Sequence, residues 1–110
     1  MNKRVPDLPA GTMIGPIEIH RILGKGATAH VYLATDQFGR EVALKVRRKE
    51  ERDADRRFLR EFESLRRLAI PGVVEVFDAG QTEKWLWFTM EVVEGHHLFE
   101  YIQKASRVEE

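Results

Sequence analysis

Apolar and polar positions change their period along the chain. Ile17-Glu18-Ile19-His20 alternates as a half-buried strand does, and the pattern runs through Ile22 and Leu23 to Gly24. It resumes at His30-Val31-Tyr32-Leu33-Ala34-Thr35 and again at Glu41-Val42-Ala43-Leu44-Lys45-Val46-Arg47. Gly24-Lys25-Gly26 and residues 36–40 supply the turns, so this part predicts an antiparallel meander of three short strands. Over residues 48–67 the spacing becomes helical. Phe58, Phe62, Leu65 and Ala69 fall at i, i+4, i+7 and i+11, and Leu59 and Leu68 widen the stripe. Asp53 or Asp55 is placed to cap this helix, and Pro71-Gly72 ends it. Two further strands are expected at 73–79 and 85–93, joined by a turn at 80–84. Residues 98–104 read as the first turns of another helix.

The predicted order is β-β-β-α-β-β plus a helical stub. That is an α+β fold: a five-stranded antiparallel sheet with one face covered by a single long helix. Residues 1–13 hold two prolines and a glycine and read as a flexible lead-in, with order from Ile14. Residues 14–95 form the main unit, and 96–110 the next element and a charged tail.

Composition narrows the function classes. Of 110 residues, 43% are hydrophobic and 33% charged, which is ordinary for a globular domain. Eighteen Lys and Arg balance eighteen Asp and Glu, so no net field recruits nucleic acid or an anionic membrane. There is no cysteine, which excludes disulfides, thiolate metal sites and cysteine nucleophiles, and is compatible with a cytoplasmic protein. No apolar run reaches signal-peptide length within residues 1–11 or membrane-span length anywhere.

Three segments carry candidate chemistry. Gly24-Lys25-Gly26-Ala27-Thr28-Ala29-His30-Val31 places two glycines at the tip of a strand-turn-strand, where backbone amides can approach phosphate oxygens without Cβ interference. The bland alternative is a hairpin turn. No Gly-Lys-Ser/Thr and no helix follows, so it is neither a Walker loop nor a dinucleotide-binding loop. Val42-Ala43-Leu44-Lys45 puts a lysine in an apolar strand segment; it either points to solvent or faces inward for a reason. Glu61 lies three residues from Phe58 and four from Leu65, so it shares their face of the helix. A carboxylate there wants a cationic partner, which Lys45 could supply, unless Glu61 sits at the solvated edge of the stripe.

Taken in order, the glycine loop, Val-Ala-Leu-Lys and Phe-x-x-Glu-x-x-x-Leu resemble the small lobe of protein kinases, in the style of bacterial eukaryotic-type Ser/Thr kinases. Phe88-Thr89-Met90-Glu91-Val92-Val93-Glu94-Gly95 resembles that family's fifth strand and hinge, and the resemblance covers residues 14 to about 105. It implies binding of ATP with magnesium. The backbone from Gly24 through Lys25, Gly26, Ala27 and Thr28 to Ala29 would cover the phosphates. Lys45 would bind the α- and β-phosphates and Glu61 would hold Lys45. Leu23, Val31 and Ala43 would pack on the adenine, Met90 would stand behind it, and the Glu91 carbonyl and Val93 amide would bond its edge.

The chain departs from the pattern in places. The third loop glycine is Ala29, and Ile70-Pro71-Gly72 stands where His-Pro-Asn is frequent. The family's His-Arg-Asp and Asp-Phe-Gly segments do not occur. Asp36-Gln37-Phe38-Gly39 and Asp78-Ala79-Gly80 are decoys, both expected in turns. The residues therefore hold no base for a substrate hydroxyl and no dedicated magnesium ligand. Two readings follow. One is an ATP-binding lobe truncated before the catalytic lobe that receives the protein substrate, inactive by itself. The other is a stand-alone docking module that associates through the surface a catalytic lobe would cover. An RNA-binding sheet fits poorly, because stacking aromatics on a basic sheet are missing. His96-His97 reads as surface rather than metal site. Trp85 and Trp87 share a face and cover the sheet. The arginines at 56, 57, 60, 66 and 67 form a solvated helix face, or a site for an acidic or phosphorylated segment.

Overall fold

The alternating segments build six strands in a computed structural model that describes residues 7–50, 52–68 and 75–92. They are β1 (Met13–Ile14), β2 (Ile17–Lys25), β3 (Ala29–Thr35), β4 (Glu41–Arg48), β5 (Val76–Gln81) and β6 (Trp85–Met90), with α1 (Arg52–Leu68) between β4 and β5. All pairings are antiparallel, in one sheet of order β1-β2-β3-β4-β6-β5. The sixth strand is the two-residue β1, which the alternation does not reveal. Ala69, the Pro71-Gly72 stop, residues 73 and 74, Val93, His96, His97 and the expected helix at 98–104 lie outside the described residues.

Order also extends further towards the N-terminus than the pattern indicates. Gly11 donates its amide to the Ile19 carbonyl at 2.8 Å, and Ile19 donates to the Thr12 carbonyl at 2.9 Å. Leu8 donates its amide to the Tyr32 hydroxyl at 3.1 Å, and its side chain packs on the sheet.

Period-2 side chains give the sheet two apolar faces. One face buries Ala29, Val31, Ala43, Leu86, Phe88 and Met90 against Phe58, Phe62 and Leu65 of α1. The Phe88 ring stands 5.2 Å from Phe58 and 5.7 Å from Phe62, both tilted. Such pairs add about 0.5–1.5 kcal/mol each beyond burial. The other face buries Ile14, Ile17, Ile19, Tyr32, Ala34, Val42, Leu44, Val46 and Trp87, enclosed as the sheet curls.

α1 is amphipathic, but its buried arc differs from the expected one. Leu59 is 38% exposed, while Ser64 is buried and donates to the Arg60 carbonyl at 3.0 Å. At about 100° per residue the arc runs from Phe62 through Phe58 and Leu65 towards Glu61 and Ser64, which leaves Leu59 on the far side. Acidic Asp53 and Asp55 in the first turn and basic Arg66 and Arg67 in the last suit the helix dipole. Asp55 also reaches back to accept from the Glu50 amide at 3.3 Å.

The two Asp-containing decoys are structural. The buried Asp36 carboxylate closes the β3–β4 turn, accepting from the Phe38 amide at 3.0 Å and the Arg40 amide at 2.9 Å, with the Arg40 guanidinium at 3.0 Å. Burial alone would raise its pKa. The Arg40 and Phe38 hydrogen bonds outweigh burial and hold it below the usual carboxylate value. Gly39 completes this turn at φ 78°, a conformation that suits glycine. Asp78-Ala79-Gly80 does not form a turn: it lies inside β5, where Gly80 pairs with Trp87. A glycine is needed there because the indole crosses its backbone; an added Cβ would meet Trp87 Cζ2 at 2.4 Å.

Gly80→Ala is therefore expected to destabilise the fold by about 1–3 kcal/mol, from overpacking against Trp87. Thermal unfolding followed by circular dichroism should show a fall of several degrees, and an unchanged midpoint would contradict this packing.

Candidate nucleotide-binding site

Lys45 sits in the middle of β4, paired with Val31 on one side and Phe88 on the other. Both neighbours belong to the helix-facing core, so the lysine also faces α1. Glu61 comes to meet it because it lies one turn from both Phe58 and Leu65, whose burial fixes the rotation of the helix. The ammonium donates to Glu61 Oε1 at 2.5 Å, and each side chain is 13% exposed. The two charges are mostly out of water, and each is tolerable because the other is there. The ammonium also lies 6.0 Å from the Phe88 ring centre. A lysine ammonium has three donors. Glu61 takes one, and the other two have no protein acceptor among the described residues.

The residues expected to pack on an adenine share this face. Val31, Ala43 and Met90 are closed to solvent within the same cluster, and Leu23 and Val92 pack against it half-buried. Ala43 and Met90 are direct cross-strand partners. Leu23 arrives there through a β-bulge. Ile22 pairs with Tyr32 and Gly24 with Val31, so Leu23 is the extra residue, turned towards the helix side. Glu91 donates its amide to the Glu75 carbonyl at 2.8 Å and accepts from the Glu75 amide through Oε1 at 2.8 Å. Neither bond uses the Glu91 carbonyl.

The glycine segment forms the β2–β3 hairpin tip, closed by the Gly26 amide donating to the Ala29 carbonyl at 2.8 Å. Ala27 and Thr28 are exposed at its end. Ala29 is the first residue of β3, where alanine is unstrained, so the missing third glycine costs the backbone nothing. Lys25 and His30 are paired and project to the opposite face from Lys45. There Lys25 donates to Asp7 at 2.8 Å, and His30 Nε2 lies 3.5 Å from the same carboxylate. The Lys25 ammonium holds the Asp7 carboxyl below the usual carboxylate value. Only the backbone of Lys25 therefore remains for a ligand on the Lys45 side. Asp7 escaped the sequence reading because nothing in residues 1–13 signals a partner 18 positions away.

Among the described residues no group of three or more His, Asp or Glu is placed to hold a metal ion. No described helix is long and apolar enough to cross a membrane. Trp85 and Trp87 both cover the face opposite α1, as their spacing predicts.

The protein kinase domain model matches residues 17–110. The chain belongs to the protein kinase family. Among the described residues, the six-stranded sheet with its single helix is the small lobe of that fold. Among its relatives is the DNA damage-responsive serine/threonine-protein kinase RqkA of Deinococcus radiodurans, 44% identical over 83% of this chain and 14% of that protein. The serine/threonine-protein kinase PrkC of Bacillus subtilis is 40% identical over 80% of this chain and 14% of its own length. A plant relative, CBL-interacting serine/threonine-protein kinase 19 of Arabidopsis thaliana, is 37% identical over 89% of this chain and 21% of that one. This kinase segment thus spans a small part of each relative. A solved structure described as "PpkA-294 apo form" superposes with a TM-score of 0.68 at 22% identity, covering 81% of this chain and 40% of the other. That likeness concerns the fold.

Removing one partner of a largely buried ion pair leaves the other uncompensated, at a cost of up to about 3–5 kcal/mol. Lys45→Met and Glu61→Gln should each lower stability in urea unfolding. The double variant should be more stable than the sum of the two losses predicts, by about 1–3 kcal/mol. Additive losses would mean the two side chains do not interact in solution.

Proposed function

We propose that this chain is the ATP-binding lobe of a Ser/Thr protein kinase. One observation carries the reading. A lysine ammonium, oriented by Glu61 and with two donors that meet no acceptor among the described residues, lies on the same sheet face as the apolar residues Leu23, Val31, Ala43 and Met90. Aliphatic side chains beside a fixed cation suit a flat apolar base followed by phosphates. The Gly24–Ala29 hairpin tip follows Leu23 directly and would lay its amides over those phosphates. Lys45 would bind the α- and β-phosphates, and Glu61 would hold its direction. Glu91 and Val93 would bond the adenine edge through backbone atoms. When bound, ATP supplies the phosphoryl group that the whole kinase passes to a Ser or Thr hydroxyl.

The residues that would accept the hydroxyl proton and hold magnesium are not among these 110, since neither His-Arg-Asp nor Asp-Phe-Gly occurs in them. The proposed activity of this chain alone is therefore binding without transfer. Val31 and Ala43 are closed to solvent, so an adenine must first displace the side chains that cover them. Affinity should be weak on that account.

A fluorescent ATP analogue titrated into the purified chain should bind with a dissociation constant of about 0.1–1 mM, and Lys45→Met should weaken it about tenfold, or roughly 1.4 kcal/mol. No phosphate should enter a protein substrate. Equal binding by wild type and Lys45→Met would remove the lysine from the site. Lysine-dependent phosphate incorporation would show that these residues suffice for transfer.

A further inference from the structure

Lys45 has a cationic neighbour on its own face of β4. Two residues along the strand is Arg47, which pairs with Ala29 and Leu86 of the helix-facing core. It is 6% exposed, unusually buried for an arginine, and such a charge must be matched where it lies. Its guanidinium is spent on the start of α1. Nη1 donates to the Ala54 carbonyl at 2.9 Å, Nη2 to Glu50 Oε2 at 3.3 Å, and Nε to the Arg48 carbonyl at 3.3 Å. Glu50 is in turn tied to the helix, its amide donating to Asp55. A cation near a helix N-terminus opposes the helix dipole. The placement is therefore not explained by helix stability alone; Glu50 offsets the charge, and the arginine fixes where the helix begins.

β4 thus grips α1 at two points. Arg47 holds Ala54 and Lys45 holds Glu61, seven residues or about 10 Å further along the helix. Phe58 lies between the two grips, packed on Phe88. Phe58 and Phe62 both bear on the one Phe88 ring, so a helix held otherwise at one point can still pivot about that ring, and a pivot would carry Glu61 away from Lys45. We infer that Arg47 is a positioning residue for the Lys45–Glu61 pair: by anchoring the first turn of α1 to the same strand that carries Lys45, it sets the distance at which Glu61 meets the ammonium. This rests on the reading of Lys45 as the phosphate-binding group. Alternation puts residues 43, 45 and 47 on one face, but it does not reveal that position 47 would turn to the helix backbone.

The absence of cysteine makes the test clean. Nitroxide labels on cysteines introduced at the exposed Gln37 and Arg57 report the distance between the sheet and α1 by pulsed electron paramagnetic resonance. Arg47→Met should shift or broaden that distribution and weaken the fluorescent ATP analogue about fivefold. Arg47→Lys, which keeps the charge and a donor nitrogen, should restore most of both. In a Glu61→Gln background Arg47→Met should still move the helix but cost no further affinity, because the pair is already broken. Glu50→Gln disturbs the anchor without touching the buried side chain, and decides the matter should Arg47→Met fail to fold. An unchanged distance distribution in the folded variants overturns the proposal, as does an equal affinity loss with Glu61 absent. Helix movement without any analogue binding by the wild type would sustain the anchor and overturn the nucleotide reading it serves.

Discussion

The Lys45–Glu61 ion pair joins the middle of the sheet to the middle of the helix, and its two charges are nearly out of water. A pair so placed is stabilising only when its geometry is held, because desolvation is charged against it whether or not the ions meet. Most of the surrounding structure supplies that holding. Phe88, the cross-strand neighbour of Lys45, packs against Phe58, one turn before Glu61, and against Phe62, the residue after it. These rings press α1 on the sheet and screen the pair from solvent. Arg47 fixes the start of the helix from the same strand.

The opposite face keeps β4 in register with its neighbours. Val42, Leu44 and Val46 alternate with Ala43, Lys45 and Arg47, so a one-residue slip would turn both cations into the other core. Trp87 lies over Gly80, a position that accepts no side chain, which fixes β5 against β6. The N-terminal residues close this face through Leu8 and tie Asp7 to Lys25 beside the glycine hairpin. The two faces thus divide the labour: one holds the paired cation against α1, and the other fixes the strands that present it.

Much of this was legible from spacing. Glu61 could be assigned to the buried side of α1 because Phe58, Phe62 and Leu65 define that side, and Lys45 was its nearest cationic candidate across the covered sheet. The meander, the helix and the Trp85–Trp87 face follow from periods of 2 and 3.6. What stayed hidden depends on contacts between distant segments. β1 is too short to show a period. The bulge that turns Leu23 to the helix side is a mismatch between two strands, not a property of either. Gly80 reads as a turn because glycine usually marks one; only the indole of Trp87 explains a glycine inside a strand. Leu59 looked like core by its chemistry, yet the arc of α1 was set by Glu61 and Ser64 on the other side.

The central claim is that Lys45, among the six lysines of the chain, is the one held for a nucleotide's phosphates. An adenosine analogue with a lysine-reactive group in place of the phosphates, mapped by mass spectrometry after digestion, tests it directly. The account predicts that label accumulates on Lys45, that excess ATP protects it, and that Glu61→Gln reduces it. Labelling spread evenly over Lys25, Lys49 and Lys84, with no protection by ATP, would contradict it.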